Sequence, residues 1–84
     1  MYAVEFVPSA ARELANLDRA TQRRVARRIN QLAVAPRAAG SVKLRGADDV
    51  WRLRVGDYRI LYRIEDDGLL VLVIKVGHRG AVYR

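Results

Sequence analysis

Eighty-four residues fit one domain, 1–84, and leave no room for a second catalytic one, because a chain this short keeps roughly a third or more of its unfolded surface exposed after folding. A composition of 51% hydrophobic and 30% charged residues is that of an ordinary folded protein, and the lack of cysteine excludes disulfide staples and thiolate-held zinc while suiting a reducing compartment. Sixteen Lys and Arg against nine Asp and Glu give +7, and all the basic residues but Lys43 and Lys75 are arginine, whose planar fork favours nucleic acid or an acidic protein as partner.

The opening "MYAVEFVPSAARE" lacks a basic segment followed by a long apolar one, as a secretory signal would require. The longest apolar run, "GLLVLVI", is strand-sized and well short of the ~20 residues needed to span a bilayer. No membrane partner is expected, and the expected location is the cytoplasm.

"YAVEFV" alternates and predicts a first strand, ended by Pro8 and Ser9. Ser9 is the expected N-cap of a short helix with Glu13 in its first turn and Leu14 and Leu17 facing inward. Asp18 is the expected cap of a second helix of about four turns, "RATQRRVARRINQLAV", which stops before Pro36. Val25, Ile29 and Leu32 at i, i+4 and i+7 make its apolar stripe, with Ala26 and Ala33 beside it. Arg19, Arg23, Arg24, Arg27 and Arg28 project from the opposite side, as a solvated helix face or as a docking surface for ribosomal RNA or an acidic partner. "PRAAGS" reads as a loop, "VKLRG" as a short extended segment, and "LLVLVIKV" as a strand buried on both faces near the centre of a sheet. The order β-α-α-β-β-β-β predicts an α+β fold with two N-terminal helices packed on one face of the sheet.

Between those segments "VWRLRVGDYRILYR", residues 50–63, alternates apolar and arginine side chains around Gly56 and Asp57. A two-residue turn with glycine first suits a type II′ connection and pairs Val55 with Tyr58, Arg54 with Arg59, Leu53 with Ile60 and Arg52 with Leu61. Trp51, Leu53 and Val55 then meet Tyr62, Ile60 and Tyr58 on the core face, and Arg52, Arg54, Arg59, Leu61 and Arg63 share the other. Arginine directly opposite arginine is unfavourable unless an anion lies between them, and phosphate fits the guanidinium fork well. The competing reading has Asp57, Asp48, Asp49 or the acidic turn "EDDG" neutralise this face from within.

"KLRG", then "VWRLRVGDYRILYRI", an acidic turn, an apolar strand ending in "VGHR" and a closing "VYR" resemble the RelE family within the RelE/ParE toxin superfamily of bacterial type II toxin–antitoxin systems. The resemblance covers essentially the whole chain, although "GDYRILY" is shared with ParE-type members. It implies a RelE-like two-layer fold with a mostly antiparallel sheet, and a ribosome-dependent endoribonuclease that cuts mRNA in the decoding site without a metal or other cofactor. It implies catalytic roles for Arg52 and Arg54, where the best-known members carry lysine, for Arg59 at the scissile phosphate, and for Arg79 in transition-state charge or leaving-group protonation. Tyr83 matches a tyrosine that stacks on a base and assists proton removal. Lys43, Arg45, Arg63, His78 and Arg84 are the expected RNA contacts, and the five helix arginines the expected ribosome contacts. The implied partners are a cognate antitoxin, in an oligomeric complex, and the ribosome with its mRNA.

His78 is the single histidine, open to a role as a general base beside Arg79 or as a residue shaping the turn after the strand. The acids lie in turns and helix starts without the spacing of metal ligands. Two other activities fit the chain: inhibition of DNA gyrase, as by ParE-type members, and antitoxin-dependent corepression with little catalysis.

Overall fold

The computed structural model describes residues 1–38, 40–46 and 49–78. Its elements are β1 (Ala3–Phe6), α1 (Pro8–Ala15), α2 (Arg19–Gln31), β2 (Ser41–Lys43), β3 (Val50–Val55), β4 (Tyr58–Glu65) and β5 (Leu70–His78), in the expected order. The five strands form one sheet ordered β1-β5-β4-β3-β2. β1 runs parallel to β5 and every other neighbouring pair is antiparallel. Both helices lie on the same face, where Ala10 of α1 and Val25 and Ile29 of α2 join Leu53, Val55, Ile60, Tyr62, Ile64, Val71, Val73 and Val76 in one buried cluster.

The helix starts differ in mechanism. Asp18 caps α2 as expected, its carboxylate accepting the Thr21 N–H at 3.2 Å, and hydrogen bonding from the Thr21 side chain, followed by that from its N–H, holds the carboxyl below its ordinary value. α1 begins one residue before the expected cap: Val7 is the N-cap, and Pro8 occupies the first helical position, where its missing N–H costs nothing. Ser9 is therefore inside the helix, and Glu13 lies past its first turn. α2 ends at Gln31 rather than Val34, because Leu32, Ala33 and Val34 bond back three residues instead of four and tighten the chain before Pro36.

Glu13 has a different task. β1 covers β5 only as far as Val73, so the β5 edge beyond it would carry a bare N–H at Val76. The Glu13 carboxylate accepts that N–H at 3.0 Å and also the Lys75 ammonium, tying α1 to the sheet where β1 stops. Burial pushes the Glu13 carboxyl up, but the bonds from Lys75 and Val76 outweigh it and hold the group below its ordinary value.

β5 is interior but fully buried on the helix side alone, which corrects the expectation of burial on both: Val71, Val73 and Val76 are buried and Leu70, Leu72 and Ile74 are half-buried. The odd spacing from Val73 to Val76 follows from a bulge, since Tyr62 pairs with Val73 but Leu61 with Lys75. Unshifted pairing would have set Lys75 beside Ile60 in the core and Val76 beside Arg59. The bulge instead sets Val76 beside Ile60 and Gly77 beside Arg59.

The end of the sheet away from the Gly56 turn is closed by polar contacts. Asp66 accepts from the Tyr2 hydroxyl and, through both oxygens, from the Arg37 guanidinium, which lies 5.5 Å from the Trp51 ring centroid. The buried Tyr62 hydroxyl donates to the Pro36 carbonyl at 2.7 Å, anchoring the α2–β2 connection over the core.

Tyr62→Phe keeps the ring but leaves the buried Pro36 carbonyl without its donor, and is expected to cost about 1–3 kcal/mol. Urea unfolding would show this as a lower midpoint at unchanged slope; an unmoved midpoint would contradict it. For Glu13 the sign follows from a folded pKa below the unfolded one: its contribution is complete above the unfolded carboxylate range and is lost as pH falls through the folded value. Glu13→Gln should therefore be less stable than wild type at neutral pH and lose less on acidification below about pH 5; parallel pH profiles would refute this.

Candidate nucleic-acid interface

The tight turn determines which side chains meet. Gly56 has φ +58°, a conformation that a two-residue II′ connection demands at its first position and that costs most other residues strain. The register is the expected one, with Val55 opposite Tyr58, Arg54 opposite Arg59, Leu53 opposite Ile60 and Arg52 opposite Leu61. Leu53, Val55, Ile60 and Tyr62 are buried under the helices, with Trp51 and Tyr58 packed against them. By alternation Val50, Arg52 and Arg54 of β3 and Arg59, Leu61 and Arg63 of β4 face the other way, onto the side of the sheet that carries no helix.

Arg59 is the unusual member. It is 9% exposed, yet among the described residues its hydrogen bond is a long one, 3.4 Å from Nη1 to the Tyr58 carbonyl, and its Nε has no partner there. Its cross-strand neighbours are Arg54 on one side, with Cβ atoms directly opposite lying roughly 5 Å apart, and Gly77, which adds no side chain, on the other. A buried cation normally sits against a carboxylate. Neither Arg54 nor Arg59 is ion-paired to a described carboxylate: Asp66 is taken by Arg37 and Glu13 by Lys75. The acidic turn thus serves the far end of the sheet instead of neutralising this face. Asp48 falls outside the described residues.

Arg52, Arg54 and Arg59 are brought together, with Arg63 exposed further along the same face. Arg79, Tyr83 and Arg84 lie outside the described residues. Lys43 pairs with Trp51 and so points to the helix side, where it lines a cleft of about 410 Å³ with Arg37, Asp49 and Trp51. Arg45 is exposed in the turn after β2. His78 is opposite Tyr58, also on the helix side, and the two rings meet edge to face at 5.4 Å. On α2, Arg19, Arg23, Arg24 and Arg27 are exposed, while Arg28 is half-buried and donates to Gln31.

Sequence reading missed Gly77 as part of this site. The signal was present in the spacing between "YRILY" and "LVIKVGH", but using it required the position of the bulge. It also missed Leu72, a half-buried aliphatic side chain of the same face beside Arg63, because "LLVLVIKV" reads as a strand covered on both sides.

Residues 4–83 match the family model described as the ParE toxin of the type II toxin–antitoxin system parDE. The toxin RelG of Mycobacterium tuberculosis is 33% identical over 84 residues, which are 99% of this chain and 97% of that protein. The mRNA interferase toxin RelE of Escherichia coli K12 is 30% identical over 80 residues, 93% of this chain and 83% of the relative. The fold superimposes on the toxin–antitoxin complex RelBE of Escherichia coli with a TM-score of 0.82 at 27% identity, covering 93% of this chain and 96% of that one.

An anion seated between Arg54 and Arg59 should stabilise the protein, so inorganic phosphate is expected to raise the melting temperature more than chloride of equal ionic strength. Arg54→Glu replaces the cross-strand repulsion by attraction and should add about 0.5 kcal/mol, a rise of about 3 °C, while abolishing the phosphate response. A variant that melts lower than wild type, or keeps the response, would refute the pairing argument.

Proposed function

Because the chain belongs to the RelE family of the RelE/ParE toxin superfamily and is a type II toxin of that family, we propose that it is an endoribonuclease that cleaves mRNA in the decoding site of the ribosome. The observation that carries the proposal is Arg59, a buried guanidinium paired to no carboxylate among the described residues, set opposite Arg54 on the sheet face away from α1 and α2. Such an arrangement is unfavourable in the free protein and favourable around a phosphate.

In the proposed reaction a ribose 2′-hydroxyl attacks the adjacent phosphorus, the bond to the 5′-oxygen breaks, and a 2′,3′-cyclic phosphate and a 5′-hydroxyl are left. Arg59 holds a non-bridging oxygen of the scissile phosphate, and Arg52 and Arg54 flank it, so that the pentacoordinate phosphorane forms against fixed positive charge. Arginine keeps its proton, with a pKa above ~12, and supplies no base. By the family resemblance the base role falls to Tyr83 and stabilisation of the leaving oxygen to Arg79. Lacking a strong base, the site depends on the ribosome to hold the mRNA in line, which accounts for ribosome dependence. The proposed chemistry routes no step through a metal, and among the described residues no three His, Asp or Glu side chains are grouped to hold one.

The partner we propose is a cognate antitoxin that covers part of the cationic surface, in line with the RelBE complex whose toxin this fold matches. A second reading, inhibition of DNA gyrase, draws on the ParE name of the matching family model. Primer extension on a translated mRNA separates the two. Wild-type protein with ribosomes is expected to give cuts inside codons, reduced about 10²–10³-fold by Arg59→Ala and strongly by Arg79→Ala. Intact mRNA together with gyrase-trapped DNA breaks would overturn the nuclease reading.

A further inference from the structure

We propose that Lys75 is a substrate-binding residue held in reserve by Glu13. In the free protein Glu13 keeps the ammonium at the sheet edge; when a phosphate seats between Arg54 and Arg59, the ammonium leaves Glu13 and joins it there. This deepens the nuclease reading and rests on it for the seat of the phosphate, while the family resemblance gives Lys75 no role.

The β5 bulge decides where the Lys75 side chain starts. Lys75 is opposite Leu61 and Gly77 opposite Arg59, while the buried Val76 between them pairs with Ile60 of the core. By alternation Lys75 and Gly77 therefore belong to the arginine face, away from the helices. The ammonium nevertheless ends on Glu13 of α1, so its stem turns round the β5 edge beyond Val73, where pairing with β1 stops. Lys75 precedes Gly77 by two residues, about 7 Å along the strand, a distance that a flexible lysine stem spans. Gly77 has no side chain, so β5 itself places nothing between Lys75 and the row occupied by Arg59.

The Glu13 pair is built to be exchanged. Within it the Lys75 side chain is 41% exposed and that of Glu13 28%, and ion pairs so open to water hold their partners weakly. Glu13 does not depend on Lys75 for its place, since its other oxygen accepts the Val76 N–H at 3.0 Å and keeps α1 on the sheet. Charge supplies the direction of the exchange. Without an anion, a third cation beside Arg54 and Arg59 is repelled and the ammonium stays on Glu13. A seated phosphate reverses the sign, and the equilibrium shifts by the difference in its affinity for the two arrangements. An ammonium suits such a move, because as a point charge it takes a phosphate oxygen without the alignment a guanidinium fork requires.

The chain has two lysines, Lys43 and Lys75, so NMR of the full chain with isotopically labelled lysine resolves both side chains. Titration with inorganic phosphate, and with a short oligoribonucleotide methylated at every 2′-oxygen so that it cannot be cleaved, is expected to move the Lys75 signal. That of Lys43, on the helix side, should stay in place. A Lys75 signal that stays still, or moves no more than that of Lys43, would overturn the exchange without recourse to any variant. In anisotropy with the labelled oligoribonucleotide, Lys75→Met is expected to weaken binding about fivefold and to lower the salt slope by about 0.7, and Lys75→Arg to restore both. Glu13→Gln, which releases the ammonium, should tighten binding about threefold in the wild-type background and not at all beside Lys75→Met. A gain that persists beside Lys75→Met would be an effect of net charge alone and would overturn the exchange; melting temperatures establish that each variant is folded. Cleavage of a translated mRNA on ribosomes separates the two readings. Cuts inside codons with a motionless Lys75 signal refute the exchange and leave the nuclease reading standing, and a Lys75 signal that moves where no mRNA is cut does the reverse.

Discussion

The register of the β3–β4 hairpin is the constraint from which the rest follows. A two-residue turn leaves no slack, and a slip by one residue would move Trp51, Leu53, Ile60 and Tyr62 to solvent and drive arginines under the helices. The same register therefore decides the core and the cationic face together. A sequence can secure such a register by hydrophobic burial alone, as it does here through Leu53, Val55, Ile60 and Tyr62, and the opposite face is then free of structural duty. That leaves Arg52, Arg54, Arg59 and Arg63 on the face of the two strands turned away from the helices.

The β5 bulge refines what the hairpin sets up. It reverses the alternation of β5 between Val73 and Lys75, moves Lys75 out of the core row to an edge where Glu13 receives it, and brings Gly77 next to Arg59. One irregularity thus serves both layers: α1 gains a polar anchor on the sheet, and the buried arginine gains a neighbour with no side chain. The acids are distributed accordingly. Asp66 and Glu13 pair with Arg37 and Lys75, so neither of these described ion pairs uses an arginine of the hairpin.

How far the sequence was legible depends on whether a feature is local. The hairpin was readable because turn length, glycine and alternation all lie within 14 consecutive residues, and the α2 cap and stripe were readable for the same reason. The N-cap of α1 is Val7, two residues before the expected Ser9, because proline at the first helical position is the stronger constraint. What required pairing between distant segments was not readable. Lys43 and His78 look like neighbours of the arginines in sequence, yet their partners Trp51 and Tyr58 carry them to the other face. The roles expected of Arg79 and Tyr83 rest on the family resemblance, as both lie outside the described residues.

The chemistry proposed for the arginine face has a consequence for how such a toxin is controlled. A site built from guanidinium groups stabilises charge at fixed points but moves no proton itself, so its rate depends on how well the RNA is presented and on a base supplied elsewhere. Arg52 and Arg54 intensify this relative to lysine, which can be deprotonated in a cationic cluster whereas arginine cannot. Restraint is then intrinsic: free RNA passing over the face meets attraction without alignment, and cleavage awaits a partner that bends the backbone into line. The same property makes the face easy to silence. A partner that neutralises or covers two or three guanidinium groups removes both the affinity for phosphate and the stabilisation of the phosphorane, because on this sheet they are the same side chains.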